Sequence, residues 1–215
     1  MATMEALDAL SDLVRARFAA KNAARDQALR LSRELIRHCS EAIRAIHRRE
    51  WSDADARLLI ASAAADELRA ACAGYADLLM SGYTQDALKE VVEAHATCAI
   101  IRGQPLPTPE SLGVDDAAYV NGLAEAATEL RRFILDILRR EDGDAAEAER
   151  LLGWMDAIYD KLVTFDFPDA ITGDLRRRTD VVRGVLERTR GDLTTTVQQG
   201  RLQAALRALD EKITR

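Results

Sequence analysis

Residues that interrupt helices are scarce in this chain of 215 residues, which contains only 11 glycines and 4 prolines. Aromatic residues make up 5% of it, and clusters of the β-branched and aromatic residues typical of strands are few. Alanine, leucine, arginine and glutamate, which all favour helices, are abundant instead. The composition therefore predicts an all-α fold of long amphipathic helices.

The sequence also lacks the long apolar run that a membrane-spanning helix requires. Its first residues include an acidic Glu5 and no apolar signal-peptide core, so we expect a cytoplasmic protein without a membrane partner. Cys39, Cys72 and Cys98 are far apart and each lies within a helical pattern. These features predict buried free thiols in a reducing compartment, with neither disulfides nor a zinc site.

Turn residues divide the chain into helical segments, and the absence of a linker predicts a single domain over residues 1–215. We expect about seven long helices. The first is predicted over Met4–Arg49, and the second is predicted to begin at an N-cap at Ser52-Asp53 and to reach Met80. Later breaks are predicted at Gly103–Gly113, Glu141–Asp144, Phe165–Pro168 and Gly200.

No common catalytic signature is present: the chain has no phosphate-binding glycine loop, GxSxG, CxxC, HExxH or Glu-x-x-His. Two pairs of carboxylates are better candidates for chemistry. Glu90 and Glu93 lie three residues apart in the third predicted helix, and Glu125 and Glu129 lie four apart in the fourth. Each pair therefore shares one helix face.

If these two helices pack antiparallel across the intervening loop, the four carboxylates converge on one groove. Carboxylates so close together require a counter-charge, and Mg²⁺ or Mn²⁺ would supply it. Such a metal activates water and stabilises a phosphate in transition, as in metal-dependent nucleases. The alternative is an ordinary solvated acidic face.

Arginines form a second pattern on the first helix. The five side chains step by 3, 4, 7 and 4 residues and fall within about 60° of one face. Arginine matches phosphate geometry, which favours contact with a nucleic-acid backbone. The alternative is a surface stripe paired with Glu34 and Glu41. A later basic cluster, Arg176–Arg178 with Arg183 and Arg190, adds weak support for nucleic-acid binding. We call these five residues the arginine stripe: Arg30, Arg33, Arg37, Arg44 and Arg48.

Four short segments resemble the translin and translin-associated factor X family, in the same order along the chain. Leu31-Ser32-Arg33-Glu34 with Ile43–Arg48 is similar to LSRD…I..LHR, and Leu88–Ala94 is similar to QEYVEA. Tyr119–Leu130 resembles DYLLG..D...EL, and Leu175–Leu193 resembles the closing helix of translin. The resemblance covers about residues 28–200.

This resemblance implies a translin-like helical bundle that assembles into a hollow homo-octamer around RNA. In translin-associated factor X, the acidic residues that match Glu90, Glu93, Glu125 and Glu129 form a metal-dependent endoribonuclease site. Translin lacks this acidic set and mainly binds RNA or single-stranded DNA. The family's aspartate is replaced here by Glu125, which is one methylene longer. The short Gly103–Gly113 loop suggests a compact prokaryotic homologue that acts without a second type of subunit.

The sequence therefore leads to the hypothesis of an Mg²⁺- or Mn²⁺-dependent endoribonuclease within a homo-oligomeric shell. The same four glutamates would be the metal ligands and the catalytic residues, and the arginine stripe would bind RNA. One alternative is a non-catalytic RNA- or DNA-binding oligomer of the translin type. A third interpretation is a structural helical protein whose charged stripes serve only subunit contacts.

Overall fold

Helices are the only regular elements in the part of the chain that the computed structural model describes, residues 4–140 and 143–213. The six long helices are α1 (Met4–His47), α2 (Trp51–Ala71), α4 (Gly82–Arg102), α6 (Asp116–Leu138), α7 (Ala145–Leu162) and α9 (Leu175–Ile213). The one-turn helices are α3 (Ala76–Leu79), α5 (Pro109–Leu112) and α8 (Asp169–Thr172). The all-α prediction is confirmed, with six long helices where about seven were expected.

The predicted breaks differ from the structure in three places. The second helix ends at Ala71, not at Met80, because the chain turns at Gly74, whose φ of 84° suits glycine. The residue before that helix is Glu50, so the predicted N-cap at Ser52-Asp53 is wrong. The last helix continues through Gly200, since one glycine costs only about 1 kcal/mol among neighbours that favour helix. Of the turn predicted at Glu141–Asp144, residues 141 and 142 lie outside the described residues.

The chain divides into two compact units, and the boundary falls inside α4, between Val91 and Val92. In the first unit, α2 packs back against the second half of α1 after a turn in which Arg49 adopts a φ of 57°. Arg57 joins the pair: its Nη1 donates to Glu41 at 2.6 Å and its Nε to Asp53 at 2.7 Å. These two carboxylates raise the pKa of the guanidinium, so Arg57 remains charged.

The second unit is a bundle in which α6, α7 and α9 pack against one another. Its core consists of apolar side chains that are almost fully buried on all three helices: Leu130, Ile134, Leu151, Met155, Leu186 and Leu193. The Asp115 carboxylate caps the start of α6 by accepting from the N–H of Ala118 at 2.7 Å. The bundle thus holds α6 in place from its first turn.

Two side chains tie neighbouring segments to this bundle. The buried Asn121 of α6 donates through Nδ2 to the carbonyl of Thr172 in α8 at 2.6 Å. Arg150 of α7 donates to the carbonyls of Ile100 and Ile101 at the end of α4, at 2.9 and 3.1 Å. A cation at these terminal carbonyls also favours the helix dipole. These two hydrogen bonds therefore fix the last turns of α4 to α7.

The structure agrees with two further predictions from composition. All three cysteines are buried thiols that are not joined in disulfides. Within residues 4–140 and 143–213, no helix has the length and apolarity needed to cross a bilayer. The division of the protein into domains stays a prediction.

Candidate functional site

The first two predicted acids stand on a helix that is otherwise largely apolar. Glu90 and Glu93 are half-buried on α4, while Val91, Val92 and Ala94 beside them are almost fully buried. Because α4 is one continuous helix, the spacing of three residues sets the two carboxylates one turn apart. Burial of the neighbouring side chains restricts the solvent that would otherwise screen these charges.

The second helix of the predicted site brings one carboxylate to this pair. Glu125 on α6 is half-buried, and one oxygen of each of Glu90, Glu93 and Glu125 lies within 4.8 Å of the others. We call these three residues the acidic cluster. Glu129, one turn further along α6, is half-buried but is not among these grouped ligand atoms. Its Oε1 lies 3.9 Å from Nη1 of Arg132.

Cations to which the sequence analysis gave no role in the site contact the acidic cluster. Arg178 of α9 donates through Nη1 to Oε1 of Glu125. Lys89, almost fully buried, places its Nζ 3.4 Å from Oε1 of Glu90. The signal for Arg178 was present, because residue 178 falls at helical spacing from the buried Leu175 and Val182. A charge at a core-facing position predicts a buried partner.

The electrostatics of the cluster favour a bound cation. Two unit charges 4.8 Å apart repel by about 3 kcal/mol at an effective dielectric constant of about 20. This mutual repulsion favours compensation by positive charge. Ligands of an octahedral Mg²⁺ at ~2.1 Å lie about 3 to 4.2 Å from one another, which the cluster reaches with small adjustments. The oxygen donors are also those that hard divalent cations prefer.

All five members of the arginine stripe are exposed, as their spacing on the first helix predicts. Two of them have acidic partners: Arg30 lies 3.0 Å from Glu34, and Arg48 lies 2.7 Å from Glu50. Within the described part of the chain, Arg33, Arg37 and Arg44 form no ion pair. Three guanidinium groups are therefore available to an anionic partner. The alternative interpretation paired the stripe with Glu41 as well, but Glu41 contacts Arg57 instead.

A cavity of about 700 Å³ in the second unit contains none of the predicted site residues. Its walls are mainly apolar and include aromatic side chains from α7 and the segment after it, Trp154, Phe165 and Phe167. Sequence reasoning treated the segment around Phe165 only as a break between helices. Such a surface suits an apolar partner better than a phosphate.

Comparisons with known proteins place this fold among the C3PO proteins. Two crystal structures of AfC3PO are 35% identical to this chain, cover 89% of it, and give TM-scores of 0.76 and 0.78. The chain covers 97% and 98% of those two chains, and the first was solved as a complex with duplex RNA. The structure of apo-NeC3PO, 20% identical over 91% of this chain and 100% of its own, has the same fold, with a TM-score of 0.77.

The chain belongs to the translin and translin-associated factor X family, which confirms the resemblance seen in the sequence. It is also similar to an uncharacterized protein of Methanocaldococcus jannaschii, with 31% identity over 203 residues, 94% of this chain and 89% of the relative. No protein-family model matches the chain.

Proposed function

We propose that this protein is a divalent-metal-dependent endoribonuclease. The observation that carries the proposal is the acidic cluster, in which three half-buried carboxylates from two helices meet within 4.8 Å. Membership of a family in which AfC3PO was crystallised with duplex RNA supports RNA as the substrate. The cluster offers oxygen ligands for Mg²⁺ or Mn²⁺ and no other obvious chemistry.

The acidic cluster would hold the metal, and Glu129 would act as the fourth ligand and catalytic residue. Glu129 lies on the same face of α6, one turn beyond Glu125, which supports this role. When bound, the cation supplies an activated water and stabilises the charge that develops on the phosphate. One of the glutamates would accept the proton of the attacking water.

The arginine stripe is the proposed RNA-binding surface. Its exposure and the lack of ion pairs at Arg33, Arg37 and Arg44 within the described residues support this role. Guanidinium groups contact phosphates whatever the base sequence. Aromatic residues make up only 5% of the chain, which favours backbone contact over base stacking.

The proposed assembly is a homo-octamer, a number that rests on the family resemblance. Large apolar side chains are exposed in the first half of α1 and near the end of α9, which supports burial against other copies of the chain. They include Met4, Leu7, Leu10, Val14, Phe18, Leu202, Leu206, Leu209 and Ile213. The 700 Å³ apolar cavity is a further surface suited to subunit contacts.

Light scattering tests the assembly. At micromolar concentrations, we expect a molar mass of about eight times the 23.7 kDa of one chain. Replacing Leu206 and Leu209 together by aspartate should lower that mass, because charged side chains cannot be buried in an apolar interface. A monomer mass for the unmodified protein would contradict the proposed assembly.

Substitution of the acidic cluster tests catalysis. Changing Glu93 to Gln keeps the side-chain volume but removes the ligand charge, so cleavage of labelled RNA with Mg²⁺ should fall by about a hundredfold or more. RNA binding should persist or strengthen, because a carboxylate near phosphate is repulsive. Glu149→Gln removes one exposed charge from α7 and is the matched control.

Two results separate the proposal from its alternative, a non-catalytic RNA- or DNA-binding oligomer. The pairing of Glu125 with Arg178 favours that alternative, because it neutralises one carboxylate without metal. If wild type and Glu93→Gln cleave RNA equally, and a chelator has no effect, the activity is not that of this site. RNA binding without any cleavage would leave the binding-only function.

The salt dependence of RNA affinity tests the arginine stripe. Each lost phosphate contact should reduce the slope of log affinity against log salt by roughly 0.7–0.9. The double variant Arg33→Gln/Arg37→Gln should therefore bind unrelated RNA sequences more weakly and with a shallower slope. Arg139→Gln/Arg140→Gln removes the same charge from two exposed arginines outside the basic patterns and should keep the wild-type slope. Equal slopes in both double variants would remove the stripe from the RNA-binding surface.

A further inference from the structure

We propose that Arg178 is the counter-cation of Glu125 in the metal-free protein and that a divalent metal displaces it from this carboxylate. The inference rests on the metal site of the proposed function and adds a role for one residue of α9. In this role Arg178 is a positioning residue, because its positive charge offsets the repulsion among the carboxylates when no metal is bound.

The contact itself has the features of a compensating pair. The side chains of Arg178 and Glu125 are only 26% and 23% exposed, so solvent screens the pair incompletely. They are 53 residues apart in sequence and join α9 to α6. The Nε of Arg178 is buried and has no hydrogen-bond partner among the described residues. The guanidinium is therefore held mainly by the carboxylate that it neutralises.

A bound metal and this guanidinium compete for the same group. Oε1 of Glu125 accepts the hydrogen bond from Arg178, and an oxygen of Glu125 is also one of the three grouped ligand atoms. A divalent cation beside Glu125 repels a guanidinium at hydrogen-bond distance from the same carboxylate. Metal binding therefore weakens the contact of Arg178, and the contact of Arg178 weakens metal binding by the same factor.

Space for the displaced side chain is present in the structure. A cavity of about 400 Å³ adjoins the pair, and its lining includes both Glu125 and Arg178 as well as Thr128, Asp174 and Arg177. The exposed carboxylate of Asp174 at its edge offers a second partner for a guanidinium. Arg178 can thus leave Glu125 and still place its guanidinium near a carboxylate.

The rival interpretation makes the opposite prediction. If Arg178 stays in place and orients Glu125 for the metal, its removal should weaken metal binding. If the metal displaces it, its removal should strengthen metal binding. The sign of the change in affinity therefore decides between the two roles.

Titration with Mn²⁺ alone, without RNA, measures that sign in the intact protein. Arg178→Gln should bind Mn²⁺ about 5-fold or more tightly than wild type, the size of a typical coupling between two sites. In chelator it should melt at a lower temperature than wild type, and saturating Mn²⁺ should narrow this difference. Arg190→Gln, which breaks the exposed Arg190–Asp156 pair on the same helix, should keep the wild-type affinity.

A second substitution covers the case in which Arg178→Gln does not fold. Arg178→Lys keeps the charge but loses the planar fork of donors, so its Mn²⁺ affinity should lie between wild type and the expected glutamine value. Unchanged or weaker Mn²⁺ binding in the folded variants would overturn the role of Arg178 while leaving the metal site intact. Failure of wild type to bind Mn²⁺ would overturn both.

Discussion

Repulsion among the carboxylates of Glu90, Glu93 and Glu125 is the constraint on which this site depends. At separations within 4.8 Å, each pair opposes the arrangement by about 3 kcal/mol at an effective dielectric constant of about 20. The repulsion of one pair is a sizeable fraction of the free energy of unfolding of a typical domain. Such a cluster persists only if the surrounding helices hold its members in place and a cation compensates their charge.

The helices meet the first condition through features remote from the acids. Buried neighbours on both sides of Glu90 and Glu93 fix the rotation of α4 about its axis. The cap by Asp115 and the hydrogen bond from Asn121 to Thr172 fix α6, which carries Glu125. Packing of α6 against α7 and α9 completes this support. Arg178 and Lys89 contribute positive charge next to the carboxylates, and a divalent cation would add to this compensation.

The sequence was sufficient where local physics decides the structure. Helical spacing located α1, α6 and α7. The predicted break that ends at Asp144 is followed by α7, where the Asp144 carboxylate accepts from the N–H groups of Ala146 and Glu147. The prediction of helix ends was wrong at Gly74, where the surrounding alanines favoured a continuous helix. It was also wrong at Gly200, where a single glycine was interpreted as a break. A lone glycine does not reveal its φ, and φ decides whether a helix ends.

The candidate site was only partly predictable. Spacing alone paired Glu90 with Glu93 and Glu125 with Glu129. Antiparallel packing across the intervening loop then suggested one shared groove, and the family resemblance supported it. The contact between Arg178 and Glu125 joins residues far apart in sequence, so no local pattern specifies it. The charge of Arg178 within an apolar stripe predicts that a partner exists but does not identify it.

Anomalous scattering from crystals soaked in Mn²⁺ tests the central claim, that the acidic cluster is a metal site, most directly. The account predicts an anomalous peak at coordination distance, about 2–2.5 Å, from oxygens of Glu90, Glu93 and Glu125. Arg178 should then have moved away from Glu125. An empty cluster at saturating Mn²⁺, with Arg178 still bound to Glu125, would contradict the account.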